Sequence, residues 1–389
     1  CDQLLLCVAY DDARSQAHAE SWIGLERSLR VLAPERSLGV LLNEGHLGDE
    51  ASVRSWVGRV RAELGTATLR SVRHGRDGRY ELRIEERSLP TGPSVIRQGG
   101  VYWITGGAGG LGARVARYLI ERHAARVVLS GRRVLADAQR AGLLEGSEDR
   151  LIYVAADVTD EAAMHACAAT AVERFGSIDG VFHVAGVIGE GSILEKTAQA
   201  FARVLAPKMR GTEVLDAVLR EHAPAFICYF SSTSAVLGDF GGGDYAIGNR
   251  FQMAWADRMS SADGIRRVAI DWPAWAEGMR GGDEDGRRTY LRSSGLHALE
   301  ANEGLDILER CLADPSAHYV VMAGDRSRIE RTLGLRDMPA AKMRAPVLTL
   351  PSEDPSWHGL TVKESLHDDL RRQVAELLRL ADDKVTLHD

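Results

Sequence analysis

Four residues carry the chemistry most open to reading in this chain. Ser232 closes the apolar run AFICYFSS, and Tyr245 follows thirteen residues later, opening Tyr245-Ala246-Ile247-Gly248-Asn249. Lys208 lies thirty-seven residues before the tyrosine, in the helical segment AFARVLAPKMRGTEVL. Tyr245 and Asn249 stand at i and i+4, so a helix there puts both on one face. A phenol has an ordinary pKa of about 10, too high for easy proton traffic at neutral pH. A nearby ammonium or an oxidised nicotinamide lowers it. A serine hydroxyl bound to the same carbonyl oxygen would complete a proton-transfer site. Spacing alone leaves the plainer alternative open, because Ser, Tyr, Lys and Asn also occupy loops and helix surfaces.

A second constellation is Thr105-Gly106-Gly107-Ala108-Gly109-Gly110-Leu111-Gly112. It follows the strand-like VYWIT, and Leu111, Val115, Tyr118 and Leu119 then keep helical spacing. Glycines permit the tight turn and let backbone N–H groups reach a pyrophosphate at the positive helix end. A glycine-rich turn that binds nothing is the alternative, and its placement between strand and helix favours a dinucleotide. The next strand ends in Ser130-Gly131-Arg132-Arg133, where an NAD site usually carries an acid for the ribose 2′-OH. Arginines suit a 2′-phosphate, so NADPH is the expected cofactor. Two solvated loop arginines are the other reading. Asp157-Val158, ending a third strand segment, is placed to meet the adenine edge, although an Asp there is also a common helix cap.

These residues need a frame. Apolar runs at 101–105, 125–131, 151–158, 180–186, 225–232, 267–272 and 318–324 alternate with helix-like stretches. That pattern predicts an α/β fold, a Rossmann-type doubly wound parallel sheet of about seven strands, with ligands at the carboxyl ends of the strands. Residues 1–97 mix the runs LLLCVAY and SLGVLL with helical stretches such as Ser52–Leu64, and read as a smaller, partial α/β subdomain. Residues 98–335 form the catalytic subdomain, and 336–365 a linker. Over 366–389, Leu366, Leu370, Val374, Leu377 and Leu378 mark an amphipathic helix.

Composition bounds the function. The chain has 389 residues, 48 basic against 55 acidic, and a formal net charge of −7. That balance argues against a general nucleic-acid binder. No apolar run reaches the roughly 18 residues of a membrane span. Cys1, Cys7, Cys167, Cys228 and Cys311 are scattered without metal-ligand or disulfide spacing, so no metal is expected and a reducing, cytoplasmic setting is. The chain begins without Met and breaks off at VTLHD, and reads as a piece of a longer polypeptide.

TGGAGGLG, the SGRR turn, ADV, HVAG (183–186), FSS, YAIGN and WPAWAEGM (272–279) together resemble the ketoreductase domain of modular polyketide synthases, in the short-chain dehydrogenase/reductase superfamily. Ordinary members of that superfamily carry Lys four residues after the tyrosine; here that position is Asn249 and the lysine is Lys208, an exchange that marks polyketide synthase ketoreductases. Upstream, GLERSL and AELGTATLRSVRHGRDGRYEL are similar to the structural subdomain that precedes such domains. The segment YLRSSGLHALEANEGLDIL (290–308) is similar to ketoreductases of synthases with stand-alone acyltransferases. The terminal helix resembles the start of an acyl carrier protein without its phosphopantetheine serine.

The resemblance implies NADPH-dependent reduction of a β-keto group on an acyl-carrier-protein-bound chain. Tyr245 would donate the proton, Ser232 orient the carbonyl oxygen, Lys208 support the phenol electrostatically and Asn249 hold the geometry or a proton-relay water. Ala185 and Gly186 join the cofactor set, and His183 is expected to be a structural hydrogen-bonding residue. Neighbouring synthase domains are the other implied partners, with no nucleic acid and no membrane. Two stereochemical markers are altered. Ile188-Gly189-Glu190 stands where one type carries Leu-Asp-Asp, and Leu237 where the other carries Trp. Glu190 keeps a carboxylate where the second Asp would be, which leans towards the Asp-bearing type; ordinary loop residues are the equal alternative for Glu190 and Leu237. Trp275 and Met279 either line the substrate pocket or pack, and Gly282–Arg288 is expected to be part of a lid. The rivals are a free-standing alcohol dehydrogenase acting on a diffusible ketone and a catalytically silent scaffold.

Overall fold

The computed structural model describes residues 3–335, apart from 67, 148, 190, 192, 194, 260–262, 277–295 and 334. The expected linker, the terminal helix, Glu190, Met279 and Gly282–Arg288 all lie outside the described residues.

Two sheets form. In the first, β1 (Gln3–Tyr10) leads through α1 (Ala13–Leu32) into the parallel β2 (Ser37–Glu44). After α2 (Glu50–Leu64), β3 (Val72–Gly75) joins parallel to β2, and β4 (Gly78–Tyr80) turns back antiparallel. SLGVLL makes a strand buried at nearly every position, as parallel strands covered on both faces require. Both helices start on a carboxylate: Asp12 accepts from Ser15 N and Asp49 from Ser52 N, each within a capping box.

The second sheet has seven strands: β5 (Val101–Thr105), β6 (Arg126–Gly131), β7 (Leu151–Ala155), β8 (Gly180–His183), β9 (Phe226–Ser232), β10 (Arg266–Trp272) and β11 (His318–Val320). All pair in parallel, in the order β11-β10-β9-β8-β5-β6-β7. Each of the seven segments read from sequence overlaps one of these strands. The third, fourth and last strands stop short of their segments' ends, so Asp157 and Val158 fall in the turn after β7.

Alternation along β5 shows how the layers arise. Val101 and Trp103 face a cluster with α5 (Glu161–Phe175), α7 (Arg210–Leu219) and α9 (Gly243–Met259). Tyr102 and Ile104 face α3 (Gly110–His123) and α10 (Ala301–Ala313). Burying one such apolar side chain is worth about 1.5–3 kcal/mol, against about 1 kcal/mol for a helix cap. Core burial therefore outweighs capping in holding these helices on the sheet.

The strand order reverses between β5 and β8, which opens a crevice beyond their carboxyl ends. The small sheet reaches this crevice through α1, which lies along α9. A Cβ on Gly24 would stand 2.5 Å from the Ala246 carbonyl oxygen, so the helices cross at a contact too close for a side chain. Glu20 pairs with Arg258 at 3.0 Å, and Ser28 Oγ accepts from Asp239 N at 3.0 Å. No helix among the described residues is long and apolar enough to cross a membrane.

Candidate active site

The glycine turn sits where the strand order reverses. Thr105 ends β5, and Gly106 takes φ +71°, a conformation that costs an L side chain strain. A Cβ at Gly106 would also meet the Ala185 backbone at 2.8 Å. Gly107 N donates to Ser130 O and Gly109 N to Gly106 O, each at 3.0 Å, which closes the turn. Gly109 caps α3 with no side chain. The first-turn amides of Gly110, Leu111 and Gly112 therefore have no side-chain acceptor, at the positive end of a helix. This cradle fits a dinucleotide pyrophosphate.

The flanking residues divide. Arg132 and Arg133 are exposed just beyond the end of β6. Tyr153 OH donates to Gly131 O and Arg133 O at 3.0 and 2.7 Å and fixes this bend. Ser130 is buried, and its hydroxyl accepts from Trp103 Nε1 at 3.0 Å. Its contribution at the turn is its carbonyl. Asp157 accepts from Thr159 N and Oγ1 at 2.9 and 2.8 Å, organising the turn ahead of α5. Val158 is buried.

The proton-transfer residues converge from three elements. Ser232 ends β9, Tyr245 and Asn249 lie on α9, and Lys208 ends α6 (Ala198–Lys208). Burial pushes the Tyr245 phenol pKa up. Polar contact with the Asn249 and Ser232 side chains pulls it back, and the Asp239 and Asp271 carboxylates add to the rise. Asn249 Nδ2 donates to Tyr245 O at 2.8 Å and to Ser234 Oγ at 3.3 Å. Its Oδ1 is buried with no partner among the described residues.

Lys208 is held by partners other than the phenol. Its amine donates to Phe230 O at 2.5 Å and to Gln252 Oε1 at 3.1 Å, so its support of Tyr245 is not a direct hydrogen bond here. Its stem threads between two glycines: a Cβ would stand 3.0 Å from Lys208 Cε at Gly186 and 2.9 Å from Lys208 Cβ at Gly248. Burial lowers the Lys208 pKa to about 7, with Asp271 pulling the other way. His183 is fully buried, with Nδ1 2.7 Å from Thr105 Oγ1 and Nε2 3.0 Å from Pro207 O. Burial, with Lys208 beside it, drives the His183 pKa down to about 3. It is a neutral strut between β5 and the turn that carries Lys208, in line with the structural role expected for it.

Leu237 and Trp275 sit in different surroundings. Leu237 ends the short helix α8 (Ser234–Leu237) and is half-buried. Trp275 is buried against Gly304 of α10, with its ring centroid 5.1 Å from that of Trp272. The small residue that receives Trp275 comes from a helix distant in sequence.

Asp271 was missed. It is fully buried on β10 opposite Ser231 of β9, and neither carboxylate oxygen has a hydrogen-bond partner among the described residues. The Ser231 hydroxyl donates instead to Asn249 O at 3.1 Å. Burial raises the Asp271 pKa to about 7, against nearby Ser231, Arg250 and Lys208. An acid inside the apolar run RVAIDW was the signal that could have found it.

A model of the KR domain family matches residues 100–277. Polyketide synthase PksM of Bacillus subtilis is 37% identical over 99% of this chain, which covers 9% of that protein. Polyketide synthase ThaG of Burkholderia thailandensis is 37% identical over 82% of this chain, which covers 6% of it. The chain thus spans less than a tenth of either curated relative. Among solved structures, a ketoreductase domain from the bacillaene assembly line aligns with TM-score 0.71 and 25% identity over 85% of this chain and 80% of that one. PlmKR1, the ketoreductase from the first module of phoslactomycin biosynthesis in Streptomyces sp. HK803, aligns with TM-score 0.70 and 26% identity over 86% and 84%.

Proposed function

The chain belongs to the ketoreductase (KR) domain family of polyketide synthases, and from that premise we propose that it reduces the β-keto group of an acyl chain tethered as a thioester to an acyl carrier protein. The reductant in this reading is NADPH, and the setting is the cytoplasm, among neighbouring synthase domains. The observation that carries the reading is the meeting of Tyr245, Ser232 and Asn249 at the end of β9, with Lys208 threaded behind them and the uncapped helix of the glycine turn after β5, two strands along the sheet.

The residues divide the work. The amides of Gly110, Leu111 and Gly112 would hold the pyrophosphate, and Arg132 and Arg133 the 2′-phosphate. The bound dinucleotide supplies the reducing equivalent. Ser232 Oγ hydrogen-bonds the ketone oxygen and holds it in place. Tyr245 gives its phenolic proton to that oxygen as negative charge develops there. The Lys208 ammonium eases departure of the proton by its charge. Asn249, bonded to the Tyr245 carbonyl, keeps the helix turn in register.

Incubation with NADPH and a panel of β-ketoacyl pantetheine thioesters, with chiral analysis of the alcohols, tests this. Wild type should form β-hydroxyacyl thioesters. Tyr245→Phe should lower kcat by about 10²–10⁴-fold, the range of a lost general acid, with NADPH affinity nearly intact. Retention of most activity in that variant refutes the assignment. Turnover of a small free ketone with no gain from tethering favours the free-standing dehydrogenase.

A further inference from the structure

Helix α6 is fastened to α9 at both of its ends, and Tyr245 lies between the fastenings. At the C-terminal end, Lys208 bonds Gln252. At the other end, Lys196 precedes Thr197, the N-cap of α6. Its ammonium donates to both carboxylate oxygens of Asp244, each at 2.7 Å. Asp244 is the residue before Tyr245, and its Oδ1 also accepts the Tyr245 backbone N–H at 2.9 Å. Lys196 is 3% exposed and Asp244 0%.

The pair also reaches back towards β8. A Cβ on Gly189 would stand 2.6 Å from Lys196 Nζ and 3.0 Å from Asp244 Oδ2. Any side chain at position 189 would therefore collide with the ion pair. Asp239, before the first turn of α9, carries a further carboxylate that senses both partners. A buried ion pair is a poor way to gain stability, since apolar residues of similar size often do as well or better. What such a pair does well is to specify one arrangement among several.

We propose that the Lys196–Asp244 pair is a positioning clasp, tying the connection after β8 to the first turn of α9 so that Tyr245 meets the ketone from one fixed side. The proposal rests on the ketoreductase reading for its substrate, a β-ketoacyl thioester. Neither residue touches the reacting atoms. Their effect is on where Tyr245 holds the carbonyl oxygen, hence on which face of the carbonyl carbon is turned to the hydride donor, and so on the configuration of the alcohol.

The test uses Lys196→Met and the double variant Lys196→Met/Asp244→Asn. The single variant leaves a carboxylate buried and unpaired and is open to unfolding. The double variant removes the charge on both sides and keeps the shapes. With the fold intact and NADPH affinity unchanged, the double variant should lose about ten- to a hundredfold in kcat, the scale of a small misplacement at a reacting centre. It should also yield both alcohol configurations where wild type yields one. A second readout needs no turnover. The Tyr245 phenol, followed by ultraviolet difference against Tyr245→Phe, should titrate at lower pH in the double variant, because the loosened turn admits water. A folded double variant with wild-type kcat, one configuration and an unmoved phenol titration overturns the clasp. Failure of wild type to reduce any thioester overturns the parent reading, and the phenol titration then still decides the clasp.

Discussion

Both sheets are built mainly of parallel strands joined through helices, yet the helix after the glycine turn starts in the opposite way to the two helices of the small sheet. In the small sheet, α1 and α2 begin on Asp12 and Asp49, whose carboxylates take up the free amides. In the large sheet, α3 begins on Gly109, which offers no side chain. Buried charge shows the same contrast. Glu63 of α2 is bound by His74 at 2.8 Å and by Arg79 at 2.7 Å. Its pKa falls to about 2, because those bonds outweigh burial. Asp271 of β10 has no such partners and is pushed the other way. The Glu63 cluster satisfies its own charges, whereas the start of α3 and Asp271 leave polar groups without partners among the described residues, and such groups are ones a ligand can use.

The most severe way to break the contrast is to give α3 the cap that α1 has. Gly109→Asp would place a carboxylate where the pyrophosphate is expected. It should weaken NADPH by about a hundredfold or more, since repulsion replaces a helix-end attraction. Fluorescence titration measures this, and unchanged affinity would remove the turn from the binding site. Arg132→Ala should weaken NADPH about tenfold, the scale of one charge-assisted hydrogen bond, and leave NADH nearly unaffected. Equal losses would count against a 2′-phosphate contact.

Asp271→Asn sharpens the charge half of the comparison. Burial holds Lys208 near 7, and Asp271 raises it. Reduction should therefore decline as pH climbs past about 7 and the ammonium is lost. Without the carboxylate, the decline should begin at lower pH. A kcat–pH profile checks the direction, and a shift to higher pH would contradict the electrostatic link. The mildest change is Asp12→Ala, which should cost about 1 kcal/mol of stability in urea unfolding and leave kcat and NADPH affinity as they were. A loss of activity larger than the loss of stability would show that α1 does more than buttress α9.

Much of this was legible in the chain. The seven strand segments, the helix after the glycine turn, and the shared face of Tyr245 and Asn249 all follow from periodicity within a few residues. The Trp275 packing partner, Gly304, comes from another helix, and nothing around WPAW indicates it. The Lys196–Asp244 pair joins residues forty-eight apart. The isolation of Asp271 depends on the β9–β10 register and on where Ser231 sends its proton.

Residue order by itself determined the strand and helix periods, the glycines that admit the turn after β5, and the types of group available for proton transfer, because each depends on neighbours within one or two turns of chain. Tertiary structure decided that Lys208 bonds Phe230 and Gln252, that His183 is a neutral strut, and that Lys196 closes on Asp244. Those outcomes depend on burial and on partners brought together across the sheet, where the loss of water and the direction of each hydrogen bond set a group's charge and reach.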